Sequence, residues 1–261
     1  MSQFESIALI GNGRVAHQLG AALNDQGVNI EGVYGRNSAG AEKLAEKLDS
    51  RIIDNLSDLI QADLILLTVS DDAVSEVASQ LNPRNKGLVA HTSGAVPLSA
   101  LEGVKRKAVF YPLQSFSLDK NIVWENVPFC LEAENDEDLN GLGELAELLS
   151  QRIHVLSSDQ RKSLHLAAVF ANNFANLMFE LSEDLLAKAE IDRSILHPLI
   201  LETANKVLMQ SAKVSQTGPA ARGDKQTIKM HRALLGEGNS YRNIYDRLTN
   251  EIYNRTHEQE L

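Results

Sequence analysis

Along the first half of the chain, short unbroken apolar runs alternate with stretches of helical periodicity. Ile7-Ala8-Leu9-Ile10 is followed at once by Gly11-Asn12-Gly13, and then by Val15, Leu19, Ala22 and Leu23 on one face of a helix. The same alternation predicts strands at residues 28–34, 51–53, 63–69, 87–91, 107–110, 127–131 and 153–156. Helices are predicted at 39–48, 56–60, 73–81 and 139–150. The run at 63–69 is apolar at successive positions, as a parallel strand buried on both faces requires. Ser70-Asp71-Asp72 supplies turn and N-cap chemistry for the helix that follows it. Strands alternating with helices imply parallel crossovers, hence an α/β fold with a doubly wound parallel sheet.

The texture changes near Ser157. Beyond it the pattern is helical throughout, at 159–189, 193–212, 225–235 and 241–256, with His197-Pro198 in the first turn of the second helix or kinking it. The expected organisation is an α/β domain over 1–156 and an all-helical domain over 157–261.

The opening turn matches G-x-G-x-x-A, the dinucleotide-binding fingerprint. Gly11 permits the tight turn, Gly13 lets backbone approach a pyrophosphate, and Ala16 lets the helix pack close to the sheet. Asn12, Arg14 and Val15 complete the loop, whose free N–H groups face the phosphates at the positive end of the helix dipole. Cofactor choice is read at the end of the second strand. There the sequence is Tyr34-Gly35-Arg36-Asn37-Ser38, with no carboxylate for a ribose hydroxyl. Arg36 suits a 2′-phosphate, with Asn37 and Ser38 adding hydrogen bonds, which favours NADP over NAD; the alternative is a solvated loop arginine.

Polar residues directly after apolar strands mark the same crevice. These are Ser70-Asp71-Asp72, His91-Thr92-Ser93-Gly94 and Tyr111-Pro112-Leu113-Gln114-Ser115. Ser70, Asp71, Thr92, Ser93 and Gly94 are candidate cofactor contacts. Asp72 also suits a helix N-cap, and His91 and Ser93 also suit hydrogen bonds within a loop. Gln114 is a candidate substrate contact. In the first long helix, His165, Asn172 and Asn176 fall on one polar line at 3.6 residues per turn. Such a line faces a ligand, a polar network or a partner subunit. His165 is the candidate for proton transfer, since imidazole titrates near neutral pH, and Asn172 is its candidate neighbour. In the loop Thr217-Gly218-Pro219-Ala220-Ala221-Arg222-Gly223-Asp224, Asp224 is placed to cap the next helix. Arg222 either clamps an anionic substrate or pairs with a helix end. No metal site is expected.

Net charge of −10 over 261 residues argues against a nucleic-acid partner. No stretch reaches the ~18 apolar residues of a membrane span, and the chain starts on a strand rather than a signal segment, so a cytoplasmic protein is expected. The single cysteine, Cys130, lies in a strand-like run and reads as a core residue.

Taken together, these motifs resemble a family of NADP-oxidoreductase-like proteins with an N-terminal Rossmann-like domain and a C-terminal helical domain of unknown function, number 2520. The residues that carry the resemblance are Gly11-Asn12-Gly13-Arg14-Val15-Ala16, Val69-Ser70-Asp71-Asp72, His91-Thr92-Ser93-Gly94-Ala95 and Tyr111-Pro112-Leu113-Gln114-Ser115-Phe116 in the first half. In the second they are His165 to Asn173 and Thr217-Gly218-Pro219 with Arg222-Gly223-Asp224. The architecture is similar to pyrroline-5-carboxylate reductase, deazaflavin-dependent NADP oxidoreductases and β-hydroxyacid dehydrogenases. The resemblance implies a nicotinamide-dependent redox enzyme, a homodimer through its helical domain, and no particular substrate. The lysine and asparagine that β-hydroxyacid dehydrogenases place one turn apart are not matched, because Leu166 stands four residues after Lys162. The expected activity is transfer of a hydride to or from a small polar carbonyl, imine or alcohol. The alternatives are a non-catalytic NADP-binding sensor or assembly protein, and, less favoured by Arg36, a methyltransferase.

Overall fold

Ser6–Ile10 forms the first strand, β1, and Gly13 hands the chain to α1 (Arg14–Asp25). α1 buries Ala16, Leu19, Gly20, Ala22 and Leu23, the face that helical spacing selects. The computed structural model describes residues 3–59 and 62–257. After α1 come β2 (Asn29–Tyr34), α2 (Ser38–Lys47), β3 (Arg51–Ile52), β4 (Leu64–Leu67), α3 (Val74–Ser79), β5 (Leu88–His91) and β6 (Lys107–Pro112). The helix expected at 56–60 is one 3-10 turn, Leu56–Asp58, and Ile60 lies outside the described residues. β7 (Phe129–Ala133), α4 (Asp136–Glu147) and β8 (Ile153–Val155) complete an eight-stranded sheet of order β3-β2-β1-β4-β5-β6-β7-β8.

Because β2 and β3 lie on one side of β1 and β4 to β6 on the other, the sheet has its switch point between β1 and β4. In open α/β sheets that is where ligands bind, beyond the carboxyl ends of the strands. Every pair is parallel except β6–β7. β7 runs antiparallel to β6 because the connection from 113 to 128 contains only a 3-10 turn, Trp124–Asn126, and no crossover helix to return the chain to the starting edge. Alternate residues of the strands feed two cores. Leu9, Leu19, Leu44, Phe110, Phe129 and Leu142 pack on one face, while Ile10, Ile65, Leu67, Val77 and Val89 pack on the other. Cys130 is buried in β7, as expected, and burial pushes its thiol pKa up.

α5 (Ser158–Ala168) starts with a capping box between Ser157 and Gln160. The chain divides into two compact units, Met1–Phe170 and Ala171–Leu261. The single helix expected at 159–189 is instead α5, a π-helical segment Val169–Phe174, and α6 (Ala175–Lys188). In a π turn each N–H bonds five residues back, so the wider turn interrupts the 3.6-residue spacing behind the line of His165, Asn172 and Asn176. α7 (His197–Met209) carries Pro198 in its first turn. The helix expected at 193–212 ends early, because Gln210 takes an extended conformation and Ser211 starts the short α8 (Ala212–Ser215). α9 (Lys225–Leu235) is capped by Asp224, which accepts from the Thr227 N–H at 3.0 Å, and α10 (Ser240–His257) follows. Among the described residues the second unit has no strand, and no helix is long and apolar enough to cross a membrane.

Candidate functional site

The turn after β1 is built around a glycine that no other residue can replace without strain. Gly11 has φ +121°, and a Cβ there would lie 2.7 Å from Thr68 Oγ1 and 2.8 Å from the Thr68 carbonyl oxygen. The turn is also pinned. Gly11 N–H donates to the Tyr34 carbonyl at 2.7 Å, and Thr68 Oγ1 donates to the Ile10 carbonyl at 3.1 Å. Two residues on, Gly13 stands as N-cap of α1 with no side-chain cap, and a Cβ there would meet nothing within 4 Å. Among the described residues the first N–H groups of α1 therefore have no side-chain acceptor, and the space before them is open to an anion. This arrangement fits the pyrophosphate of a dinucleotide.

Asn12 ties this turn to the end of β2. Its amide donates to the Asn37 carbonyl at 3.0 Å, and its side chain fills the space that a Cβ on Gly35 or Gly40 would need. Asn37 caps α2 through its side-chain oxygen, which accepts from Gly40 N–H at 3.4 Å, and Ser38 is the first residue of that helix. Arg36 is exposed and has no hydrogen bond or ion pair among the described residues, so its guanidinium fork is free for an added anion.

Beyond β4, Ser70, Asp71 and Asp72 are exposed. The side-chain cap expected from them is not made. The segment starts as a 3-10 turn, Asp71–Ala73, closed by the backbone bond from Ala73 N–H to the Ser70 carbonyl. Beyond β5 the loop is internally bonded. Thr92 N–H donates to the Leu67 carbonyl, and Ser93 Oγ accepts from Ala95 N–H at 3.1 Å and Val96 N–H at 3.0 Å. His91 is fully buried and accepts from Ser93 N–H through Nδ1 at 3.2 Å, which makes it a loop-packing residue. Burial, aided by the charge of Arg161 and opposed by the Pro97 backbone, lowers its pKa to about 4. Among the described residues its Nε2 has no hydrogen bond of good geometry.

α5 closes this corner of the first unit. Arg161, 1% exposed, pairs with Glu132 and donates to the Val96 carbonyl. Ser158 Oγ accepts from Leu98 N–H at 2.9 Å and is bonded to Glu132. These bonds fasten the start of α5 to the loop after β5 and bring His165 against it. Tyr111 Oη and His165 Nδ1 are 3.3 Å apart, and a Cβ on Gly94 would lie 2.6 Å from that nitrogen and 2.7 Å from Tyr111 Cζ. Burial, together with Cys130 and Asp71, pushes the Tyr111 phenol up to about 12 against the opposing charge of Arg161.

The structure thus brings Gly11, Asn12, Gly13, Arg14 and Val15 together with Arg36, Asn37 and Ser38 at one corner, and Thr92, Ser93 and Gly94 together with His165 at another. Gln114 is exposed just past β6, its side-chain oxygen accepting from Ser115 N–H. Asn172 is exposed in the π segment. In the second unit Arg222 is exposed and makes no ion pair among the described residues. Two residues escaped the sequence-based site: Tyr111, although its strand-end motif was noted, and Arg161. The signal for Arg161 was its position one helical turn before His165, on the same face.

The sequence matches two family descriptions, a Rossmann-like domain over residues 3–114 and a domain of unknown function, DUF2520, over 127–252. No curated protein sequence matches it. Among solved structures it is similar to BF3122 of Bacteroides fragilis, named a putative NADP oxidoreductase. The two are 35% identical, with a TM-score of 0.86 over 96% of this chain and 98% of that one. It is similar in fold to protein TM1727 of Thermotoga maritima, at 23% identity and TM-score 0.78, over 96% of this chain and 99% of that one. A pyrroline-5-carboxylate reductase of Coxiella burnetii shares the fold at 18% identity and TM-score 0.61, over 98% of each chain. With these motifs, this sheet order and these matches, the chain belongs to the family that joins a Rossmann-like domain to a DUF2520 domain.

Proposed function

We propose that this protein is an NADP(H)-dependent oxidoreductase acting on a small polar carbonyl, imine or alcohol. The observation that carries this reading is the pairing of two anion-ready features. One is the uncapped start of α1 behind an open Gly13, and the other is the free guanidinium of Arg36 at the end of β2. The 35% identity to a protein named as an NADP oxidoreductase supports it. When bound, the nicotinamide dinucleotide supplies the hydride chemistry. The backbone of residues 11–15 holds the pyrophosphate, and Arg36 with the start of α2 holds the 2′-phosphate. Ser70, Asp71, Thr92, Ser93 and Gly94 flank the nicotinamide end, Gln114 contacts the substrate, and His165 moves the proton at the substrate heteroatom.

The test is titration with NADPH and NADH, followed by NADPH oxidation against a panel of keto acids and cyclic imines. Arg36→Ala is expected to weaken NADPH at least about 10-fold while changing NADH less than about 2-fold, the loss of one charge-assisted pair. Equal losses for the two cofactors overturn the assignment of the 2′-phosphate. Tight NADPH binding with no turnover on any substrate favours a sensor instead.

The protein is further proposed to be a homodimer through its helical unit. Among that unit's described residues only Ala220 and Thr249 are buried, while Ile195, Leu199, Leu201, Leu208 and Met209 are more than 60% exposed. An apolar surface of this extent supports a partner on this face, and the partner proposed is a second copy of the chain. Light scattering on the purified protein is expected to give twice the chain mass, and Leu208→Glu with Met209→Glu to give a monomer or an aggregate. A monodisperse wild-type monomer at micromolar concentration refutes the dimer.

A further inference from the structure

Resting on the proposed redox role of His165, we infer that Tyr111 is its positioning residue, donating from Oη to His165 Nδ1 and so holding the neutral ring as the tautomer with its proton on Nε2. Three observations carry this. Tyr111 Oη lies 3.3 Å from Nδ1, and neither group has another hydrogen bond among the described residues. The phenol is half-buried, and burial raises its pKa, so it keeps its proton at neutral pH and is able to donate. Gly94 is the third. A Cβ there would sit 2.6 Å from Nδ1, 2.7 Å from Tyr111 Cζ and 2.9 Å from Oη, so the contact survives only where residue 94 has no side chain. The loop bearing Gly94 is held in turn by Arg161, through Val96, and by Ser158, through Leu98, both at the start of the helix that bears His165. The phenol, the loop glycine and the imidazole therefore form one assembly.

The chemical consequence follows from the two faces of the ring. A phenol that donates to Nδ1 leaves Nε2–H of the neutral ring as a hydrogen-bond donor that orients a substrate oxygen or nitrogen. The proton itself is delivered from Nε2 of the charged ring, which becomes neutral with its remaining proton on Nδ1. When the ring is charged the same bond reverses, with Nδ1–H donating to the phenol oxygen, so the side chain stays in place through a proton cycle.

The test reads the tautomer directly, by two-bond nitrogen–proton correlation on the full-length protein labelled in its seven histidines, without cofactor or substrate. His165 is assigned by the signals lost in His165→Gln. At a pH where the ring is neutral, the wild type is expected to show His165 protonated on Nε2 alone. Tyr111→Phe is expected to give the mixed pattern of a free imidazole, with the six other histidines unmoved. Gly94→Ala is expected to give the same mixture with the phenol still present. A wild-type ring protonated on Nδ1, or a pattern unchanged by Tyr111→Phe, overturns the inference. Should Gly94→Ala fail to fold, the Tyr111→Phe comparison decides alone. Once a substrate is known, Tyr111→Phe should lower kcat about 10-fold with little change in KM. If His165→Gln instead leaves turnover intact while the tautomer holds, the role of His165 in the chemistry fails and the positioning does not.

Discussion

Gly11 and Gly13 stand two residues apart in the same loop, yet the structure predicts opposite consequences for replacing them by alanine. At position 11 the substitution meets two costs. The positive φ of +121° disfavours any side chain by about 1–3 kcal/mol, and a Cβ 2.7–2.9 Å from Thr68 side chain and backbone forces a shift costing about 1–3 kcal/mol more. The sum, about 2–6 kcal/mol, is a large share of the ~5–15 kcal/mol that holds an ordinary domain folded. At position 13, φ −82° and ψ −172° are extended values open to any residue, and the added methyl meets nothing within 4 Å. The only structural cost is a poorer N-cap, about 1 kcal/mol or less. On the proposed function, the methyl occupies the place where backbone approaches the pyrophosphate. Losing one charge-assisted hydrogen bond of about 1.5–3 kcal/mol there weakens binding roughly 10- to 150-fold. Urea denaturation paired with NADPH titration separates the two. Gly11→Ala should lower the denaturation midpoint strongly, and Gly13→Ala should lower it only slightly while weakening nucleotide binding. A Gly13→Ala protein that binds NADPH within 2-fold of wild type refutes the pyrophosphate site, and an unchanged midpoint for Gly11→Ala refutes the Thr68 contact.

Two further predictions concern the buried groups behind the site. Arg161→Ala leaves Glu132 without its guanidinium partner and frees the Val96 carbonyl, and should destabilise the fold by about 3–5 kcal/mol in thermal or urea denaturation; a loss below about 1 kcal/mol contradicts the pairing. His91 sets a pH dependence. Its folded pKa of about 4 lies below the usual 6.5, so between those values the unfolded chain binds more protons there and stability falls as pH drops through the window. The span of about 2.5 units corresponds to roughly 3 kcal/mol at 1.36 kcal/mol per unit. His91→Asn, which keeps an acceptor for Ser93 N–H, should flatten the slope of stability between pH 6.5 and 4, and a slope identical to wild type argues against a neutral buried imidazole.

What could be read from the sequence and what could not divide along the range of the interactions. The parallel strands and their helices are written in local apolar patterning, and α9 is legible to the residue because Asp224, directly before it, caps it by accepting from the Thr227 N–H three positions on. The reversal of β7 was not, since it depends on a connection that lacks a helix rather than on the pattern of the strand itself. The π segment was not legible either. Its residues, Val169 to Phe174, carry ordinary helical composition, and a period of 3.6 was assumed through them. The site shows the same division. The turn proposed to bind the nucleotide is contiguous, so Gly11, Gly13 and Arg36 stand out as candidates by spacing alone, whereas Tyr111 and Arg161 act through partners far along the chain.

Gly94 is where the two kinds of information meet. In the sequence it sits after His91-Thr92-Ser93 and reads as punctuation, a residue that lets a loop turn. In the fold its backbone φ is not in the left-handed region, so a turn does not require it. The requirement comes from Tyr111 and His165, whose ring atoms lie where a Cβ would be. Alanine at 94 is therefore tolerated by the local backbone and rejected by the assembly. The reason for this glycine lies in two side chains on other elements of the fold.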